Sequence, residues 1–193
     1  MYTLLLHHVA RYITLEEPAQ QLFCDALEVK KLRKHQYLLQ EGDICRRDYF
    51  IVAGGVRQYE TTTDGREHTV HFGFEDWWMT DRHSLLTHTP SVYNIQALEA
   101  TTVLQLHQET LETLYHTVPQ LERYFHRVLQ QTCAMWQQRI LLLQKSAAER
   151  YEAFLKDYGP IEQRLSQQHI ASYLGVTRET LSRLRSQPGR LSQ

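Results

Sequence analysis

Over the first 27 residues, apolar positions recur at helical spacing. Leu4, Leu5, Leu6 and Val9 lead to Ile13, and Thr14 with Glu17 makes a capping box ahead of a second run, AQQLFCDAL. From about Glu28 the period changes. VRQYE and HTVHF alternate apolar and polar, and the pieces VKKLRK, YLLQ, YFIVAGGVRQYETT, REHTVHFGF, SVYNIQAL and TTVLQL read as short strands between turn signals. Asp64-Gly65 fits a tight hairpin turn, and Gly42, Gly54 and Gly55 suit corners where the backbone must turn sharply. Short strands at this spacing predict an antiparallel barrel or jelly roll through Leu106. The pattern breaks between Trp77 and Thr89, where WWMTDRHSLLTHTP predicts a loop holding a short helix, a common place for a ligand pocket.

Helical spacing resumes at Gln108. QETLETLYHTV is one amphipathic helix, and Pro119 suits the first turn of a second, long one over 119–144. Its stripe of Leu121, Phe125, Val128, Thr132, Met135 or Trp136, and Leu142 or Leu143 comes close to heptad spacing. A helix of this length with an uncovered stripe is predicted to bury it against a second copy of the chain; the alternative is that it packs wholly on the roll. Ser146 with Glu149 makes another capping box, opening SAAERYEAFLKDYG, which stops at Gly159-Pro160.

The stretch Ser166–Arg185, SQQHIASYLGVTRETLSRLR, predicts two short helices joined at Gly175. Ser166 caps the first and Thr177 the second, while Ile170, Leu174, Val176, Leu181 and Leu184 meet in the angle between them, with small Ala171 at the closest approach. Arg178, Glu179, Ser182 and Arg183 then share the opposite face of the second helix. An apolar lock carrying a row of long polar side chains is the helix-turn-helix pattern, and its chemistry suits base edges: arginine grips guanine through two bonds, and a carboxylate accepts from the cytosine amino group. The plainer alternative is an ordinary helical hairpin in which Glu179 and Arg183 form a surface ion pair.

Composition changes this picture in three places. The chain of 193 residues carries a formal charge of −1, which argues against uniform coating of nucleic acid, but after Pro160 five arginines face two glutamates, a local basic patch. Cys24, Cys45 and Cys133 are scattered, with no CxxC pair and no iron–sulfur spacing, so a reduced cytoplasmic setting is expected. Neither a signal peptide nor an apolar run of about 20 residues is present, and no membrane partner is expected. The competing reading is a cupin-like, metal-dependent enzyme on the roll, built on His68, His71, His83, His88 and Glu75. Against it, His68 and His71 are three apart on a predicted strand and point to opposite faces. A nucleophilic hydrolase lacks its G-x-S-x-G elbow.

Laid out in order, the chain resembles the Crp/Fnr family of bacterial transcription regulators over nearly its full length. RETLSR carries the most specific likeness: Arg178, Glu179 and Arg183 fall on the Arg-Glu-x-x-x-Arg recognition positions of the cyclic-AMP receptor branch. LLQEGD and FIVAGGVRQY are similar to the roll's glycine-marked hairpin, and SAAERYEAFLKDYG with IASYLG resembles a short branch common in Bacteroidetes. The resemblance implies an α+β chain. An antiparallel, cyclic-nucleotide-binding-like β-roll with flanking helices would span 1–118, a dimerisation helix 119–145, and a helix-turn-helix domain lacking most of the wing 146–193.

It also implies roles. Gln167, Gln168, Thr177, Arg178, Glu179, Ser182, Arg183 and Arg185 would contact double-stranded DNA, with Arg190 a further candidate for the phosphates a wing would hold. Leu121, Phe125, Val128, Thr132, Met135 and Trp136 would form the homodimer seam, and RNA polymerase is a further implied partner. Trp77, Trp78, Asp81, Arg82 and Tyr93 would line an effector pocket, unless the aromatic residues are simply core of the roll. The family's cyclic-AMP cassette, Gly-Glu followed by Arg-Ser or Arg-Thr, pairs its arginine with the phosphate and its glutamate with the ribose hydroxyl. Here Met79-Thr80-Asp81 and then Ser91-Val92-Tyr93 stand there, with Thr80 in place of the glycine, Asp81 in place of the glutamate, and the arginine missing. A buried phosphate without a cation costs several kcal/mol, so cyclic AMP is not the expected ligand. No metal or cofactor is called for, and the effector is unidentified.

Overall fold

The computed structural model describes residues 1–186. Helical spacing at the start gives α1 (Thr3–Ala10) and α2 (Glu17–Asp25). The Thr14–Glu17 capping box does not form: α2 is entered from Glu16 in extended conformation, with no side-chain cap. Pro18 explains the shift of two residues, because a proline without N–H is best tolerated in a first helical turn.

Eight strands follow: β1 (Glu28–Leu32), β2 (Tyr37–Leu39), β3 (Arg47–Ala53), β4 (Gly55–Thr61), β5 (Glu67–Phe74), β6 (Trp78–Met79), β7 (Tyr93–Ala97) and β8 (Thr101–His107). A short α3 (Arg82–Thr87) interrupts them after β6, as the broken pattern predicted. They form two antiparallel four-stranded sheets, ordered β1-β8-β3-β6 and β2-β7-β4-β5. Between the sheets, Leu38, Leu39, Tyr49, Ile51, Val56, Met79, Ile95 and Val103 fill the interior. Gly54 marks the β3–β4 corner at φ +88°, where an added Cβ would lie 2.5 Å from the Ala100 carbonyl oxygen. Asp64-Gly65 lies in the β4–β5 loop, closed by Gly65 N–H to the Thr62 carbonyl at 2.8 Å.

Both outer faces are also covered. Phe50, Leu104 and Leu106 of the first sheet pack against Leu5, Val9 and Phe23 and against α4 (Gln108–Thr117) and α5 (Gln120–Leu143). The second sheet packs against the C-terminal helices: α6 (Ala147–Tyr158), a 3-10 turn (Gly159–Arg164), α7 (Gln167–Leu174) and α8 (Arg178–Arg185). Phe72, Phe74 and Leu98 of the roll share one apolar cluster with Phe154, Tyr158, Ile170 and Leu174. Strands buried on both faces explain why YFIVA reads as a continuous apolar run rather than an alternating one.

At about 1.5 Å per residue, the 24 residues of α5 span roughly 36 Å. Its first turns belong to this chain's own core, which corrects the seam expected from periodicity. Leu121 is fully buried and is not available to a second copy. Phe125 stacks edge-on with Phe23 at 6.3 Å and tilts against Trp78 at 5.3 Å, and Val128 packs on the same cluster. Trp136 is half-buried against His71, ring centroids 5.6 Å apart. Beyond Val128 a different stripe is open, with Leu129, Ile140 and Leu143 exposed at 45%, 59% and 49%.

Candidate nucleic-acid interface

The local code of the C-terminal helices is realised residue by residue. The Ser166 hydroxyl accepts the His169 N–H at 3.1 Å and starts α7, and Gly175 ends it in the left-handed region at φ +64°. Only glycine takes that conformation without strain, and it lets Val176 N–H return to the Ala171 carbonyl at 3.0 Å. The Thr177 hydroxyl then accepts the Thr180 N–H at 3.2 Å and starts α8. Ile170, Leu174 and Leu181 are fully buried in the angle, with Ala171 close behind.

That packing fixes which face of α8 is free. Arg178, Glu179, Ser182 and Arg183 are all exposed. Among the described residues no ion pair joins Glu179 to Arg183; the Arg183 guanidinium donates only to the Thr180 hydroxyl at 3.2 Å. Glu179 is held below the usual carboxylate range by its own backbone N–H and the Thr177 hydroxyl, with Arg178 and Arg183 adding to the effect, so the row stays charged. Gln167 and Gln168 are exposed at the start of α7, beside the free N–H groups of that helix end. Arg190 lies outside the described residues.

Arg185 departs from expectation. It turns to the side of α8 and pairs with Glu162 of the 3-10 turn at 2.5 Å, so it fastens the helix rather than joining the open row. Residues that sequence reasoning passed over hold the unit in place. Arg139 of α5 lies over the Tyr173 ring at 3.8 Å and bonds the Tyr173 carbonyl oxygen. The Ser172 hydroxyl accepts Thr69 N–H at 2.8 Å and donates to the Glu67 carbonyl at 2.6 Å, completing the outer edge of β5. Nothing local announces these contacts, since the partners are 103 and 105 residues apart in sequence.

The expected effector residues do not converge. Trp77 stacks on His71 at 5.5 Å and faces the C-terminal helices, whereas Trp78 points the other way, to Phe50 and Phe125. Asp81, in the place of the family's ribose-binding glutamate, is buried as the cap of α3 and accepts the Ser91 hydroxyl at 2.6 Å, so its carboxylate is engaged within the chain. Arg82 pairs with buried Asp48 at 2.7 Å, and Tyr93 is half-buried at the start of β7. The pocket reading is therefore replaced by the core reading for both tryptophans: Trp77, just ahead of β6, packs on the cluster shared by the second sheet and the C-terminal helices, and Trp78, in β6, packs on the cluster under α5. The histidines of the competing metal reading are equally dispersed. His68 is exposed, His71 is buried, Glu75 is bound by Arg164, and no group of three metal-ligating side chains comes together among the described residues.

Comparison with known proteins agrees with this architecture. Residues 29–117 match the cyclic nucleotide-binding domain, and residues 138–187 match the Crp-like helix-turn-helix domain. The fumarate and nitrate reduction regulatory protein of Vibrio cholerae is 34% identical over 191 residues, covering 89% of this chain and 73% of its own. The counterpart in Yersinia pestis is 34% identical over 185 residues with the same coverage. Among solved structures, FixK2 from Bradyrhizobium japonicum superposes with a TM-score of 0.70 at 25% identity, over 83% of each chain. The catabolite activator protein of Thermus thermophilus shares the fold with a TM-score of 0.56 at 21% identity, over 89% of this chain and 82% of its own. With two matched domains in the family's order and an open recognition face on the second helix of the motif, the chain belongs to the Crp/Fnr family of DNA-binding transcription regulators.

Proposed function

We propose that the chain binds a near-palindromic operator as a homodimer, each α8 entering a major groove with half-sites about one turn, ~34 Å, apart. The observation that carries this is the row Arg178, Glu179, Ser182 and Arg183, exposed and, among the described residues, without a partner on another element, on a helix whose other side is locked by Leu181. Arg178 and Arg183 reach guanine edges or phosphates, and Glu179 accepts from a base amino group. Ser182, Thr177, Gln167 and Gln168 with the nearby backbone N–H groups hold phosphates. The role is binding rather than catalysis, exercised in the cytoplasm where chromosome and RNA polymerase are found.

The seam we propose differs from the one periodicity suggests. Leu129, Thr132, Ile140 and Leu143 lie exposed along the open side of α5, with half-buried Trp136 at the edge of that stripe against this chain's own His71. Burying that stripe against its twin removes the exposed apolar surface of the long helix. The filled interior between the sheets and the Asp81–Ser91 bond support a roll that does not take cyclic AMP in the family's usual way.

Selection of bound duplexes from a random pool tests the reading. The expected product is an inverted repeat whose affinity falls when Arg178 or Arg183 is replaced by alanine. A purified chain that ignores every duplex at low salt overturns it.

A further inference from the structure

We propose that Arg164 is a positioning residue for DNA binding, holding the recognition helix at a fixed place relative to the roll and so setting the half-site separation the dimer accepts. The proposal rests on the dimeric DNA-binding reading above.

Arg164 is the last residue of the 3-10 turn, just ahead of α7. Its guanidinium is forked onto Glu75, with Nη1 donating to Oε2 at 2.9 Å and Nη2 to Oε1 at 2.8 Å. Its Nε donates to Glu99 Oε1 at 3.0 Å, and Nη2 bonds the same oxygen. The Phe74 ring lies beneath, 4.7 Å from the guanidinium carbon. Both carboxylates stand on the roll. Glu75 Oε1 also accepts the Gly54 N–H at 2.7 Å, so the arginine grips a corner that a Cβ at Gly54 would not fit.

The same turn holds the recognition helix from the other side. Glu162, two residues before Arg164, takes the Arg185 guanidinium at 2.5 Å, and Arg185 lies in the last turn of α8. One rigid turn therefore carries a cation directed at the roll and an anion directed at α8. The apolar cluster behind the turn supplies cohesion but little direction, whereas a bidentate arginine–carboxylate pair has a fixed geometry.

Arg164, Glu75 and Glu99 keep side-chain exposures of 26%, 38% and 36%, so this joint is reachable by solvent and can be loosened without dismantling the core. Without the guanidinium, the C-terminal unit loses its charged bonds to Glu75 and Glu99, and docking leaves two half-buried carboxylates of the roll without their cation.

The test uses the full chain and the duplex recovered from random-pool selection, together with derivatives whose half-sites are moved apart or together one base pair at a time. Each base pair displaces a half-site by about 3.4 Å and rotates it by about a tenth of a turn. The unsubstituted chain is expected to discriminate sharply among spacings. In Arg164→Ala, the affinity ratio between the selected spacing and its neighbours should fall roughly 5-fold or more, the lower end of ordinary coupling. Discrimination against a changed base inside a half-site should stay as it was. Arg164→Lys, with charge but no fork, should fall between. The double variant Glu75→Gln with Glu99→Gln removes the roll's half of the joint, leaves the helix-turn-helix sequence intact, and should reproduce the loss.

Unchanged spacing preference in these variants overturns the proposal while leaving DNA binding in place. So does a parallel loss of spacing and base discrimination, which marks a damaged helix-turn-helix rather than a misplaced one. A chain that binds no duplex at all overturns the underlying reading instead.

Discussion

Trp78 Nε1–H donates to the Tyr124 hydroxyl at 2.8 Å, joining the shortest strand of the roll to the first turns of the long helix. A hydroxyl that accepts from the indole can still give its own proton, and His8 Nδ1 stands 2.7 Å away in α1. Burial keeps His8 neutral at pH 7, and the tautomer with its proton on Nε2 leaves Nδ1 to accept from the Tyr124 hydroxyl. Three elements far apart in sequence meet on one hydroxyl. Tyr124→Phe keeps the ring and its edge-on packing against His8 and Phe125 but leaves the indole N–H and His8 Nδ1 unpaired. The expected cost is about 1–3 kcal/mol of unfolding free energy. Denaturant unfolding followed by tryptophan fluorescence measures it, and an unchanged midpoint would mean water replaces the hydroxyl.

Acid should weaken the fold through three histidines. Burial lowers His8, His71 and His169 from 6.5 to about 4, helped by the charges of Arg11, Arg139 and Arg57 respectively. Each is neutral when folded and takes a proton more readily when unfolded. For a depressed folded value the stabilisation is complete above pH 6.5 and is lost as pH falls towards about 4, because the unfolded chain binds more protons there. Urea midpoints between pH 7.5 and 4.5 should fall with a slope approaching three protons taken up on unfolding, about one per histidine. His71 sits between Trp77 and Trp136 at the junction of roll, long helix and C-terminal unit, so His71→Phe should flatten the slope by about one proton. A slope unaltered by that change would place the proton uptake elsewhere.

Arg183 and Arg185 are two residues apart and should behave oppositely. Among the described residues the Arg183 side chain bonds only Thr180 on its own helix, so Arg183→Ala should leave stability within about 0.5 kcal/mol of the parent. It should cost about 1–3 kcal/mol of operator affinity and relax selection at one base pair, as for a lost bidentate guanine contact. Arg185→Ala breaks the pair with Glu162 and should lower the melting temperature while leaving the base preference of whatever still binds unchanged. Titration of both variants on the selected duplex and its single-base derivatives, beside thermal melts, separates the two roles. Equal loss of affinity for Arg183→Ala on every duplex would make it a phosphate contact.

The contrast between these arginines shows what short-range pattern does and does not encode. Caps, the turn at Gly175 and the apolar angle are local, so the face holding Arg178 and Glu179 is legible in the sequence alone. Arg185 shares that stripe by helical spacing and differs only because Glu162 is within reach. Trp77 and Trp78 read as one aromatic patch because they are adjacent, yet the chain enters β6 between them and sends each into a different apolar cluster. Arg164 was invisible for a different reason: Glu75 and Glu99 are 89 and 65 residues away, and only the docked fold brings all three together.

The long helix carries the same lesson into its own prediction. Periodicity identifies an apolar stripe but not what covers it, and the first turns of α5 turn out to be covered from within, by Phe23, Trp78 and Tyr115. What remains for a partner is the stripe through Leu129, Ile140 and Leu143. Leu129→Glu with Ile140→Glu places charge on exposed positions, so the monomer fold should survive, with circular dichroism unchanged. Facing its twin across a two-fold axis, each glutamate would meet apolar surface and a like charge, and the dimer should dissociate. Sedimentation should then show monomers, and binding to a palindrome should fall to the level of a single half-site. Leu121→Glu should instead unfold the protein, because that side chain has no solvent-facing path. A double variant that still sediments as a dimer would move the seam off this face of α5.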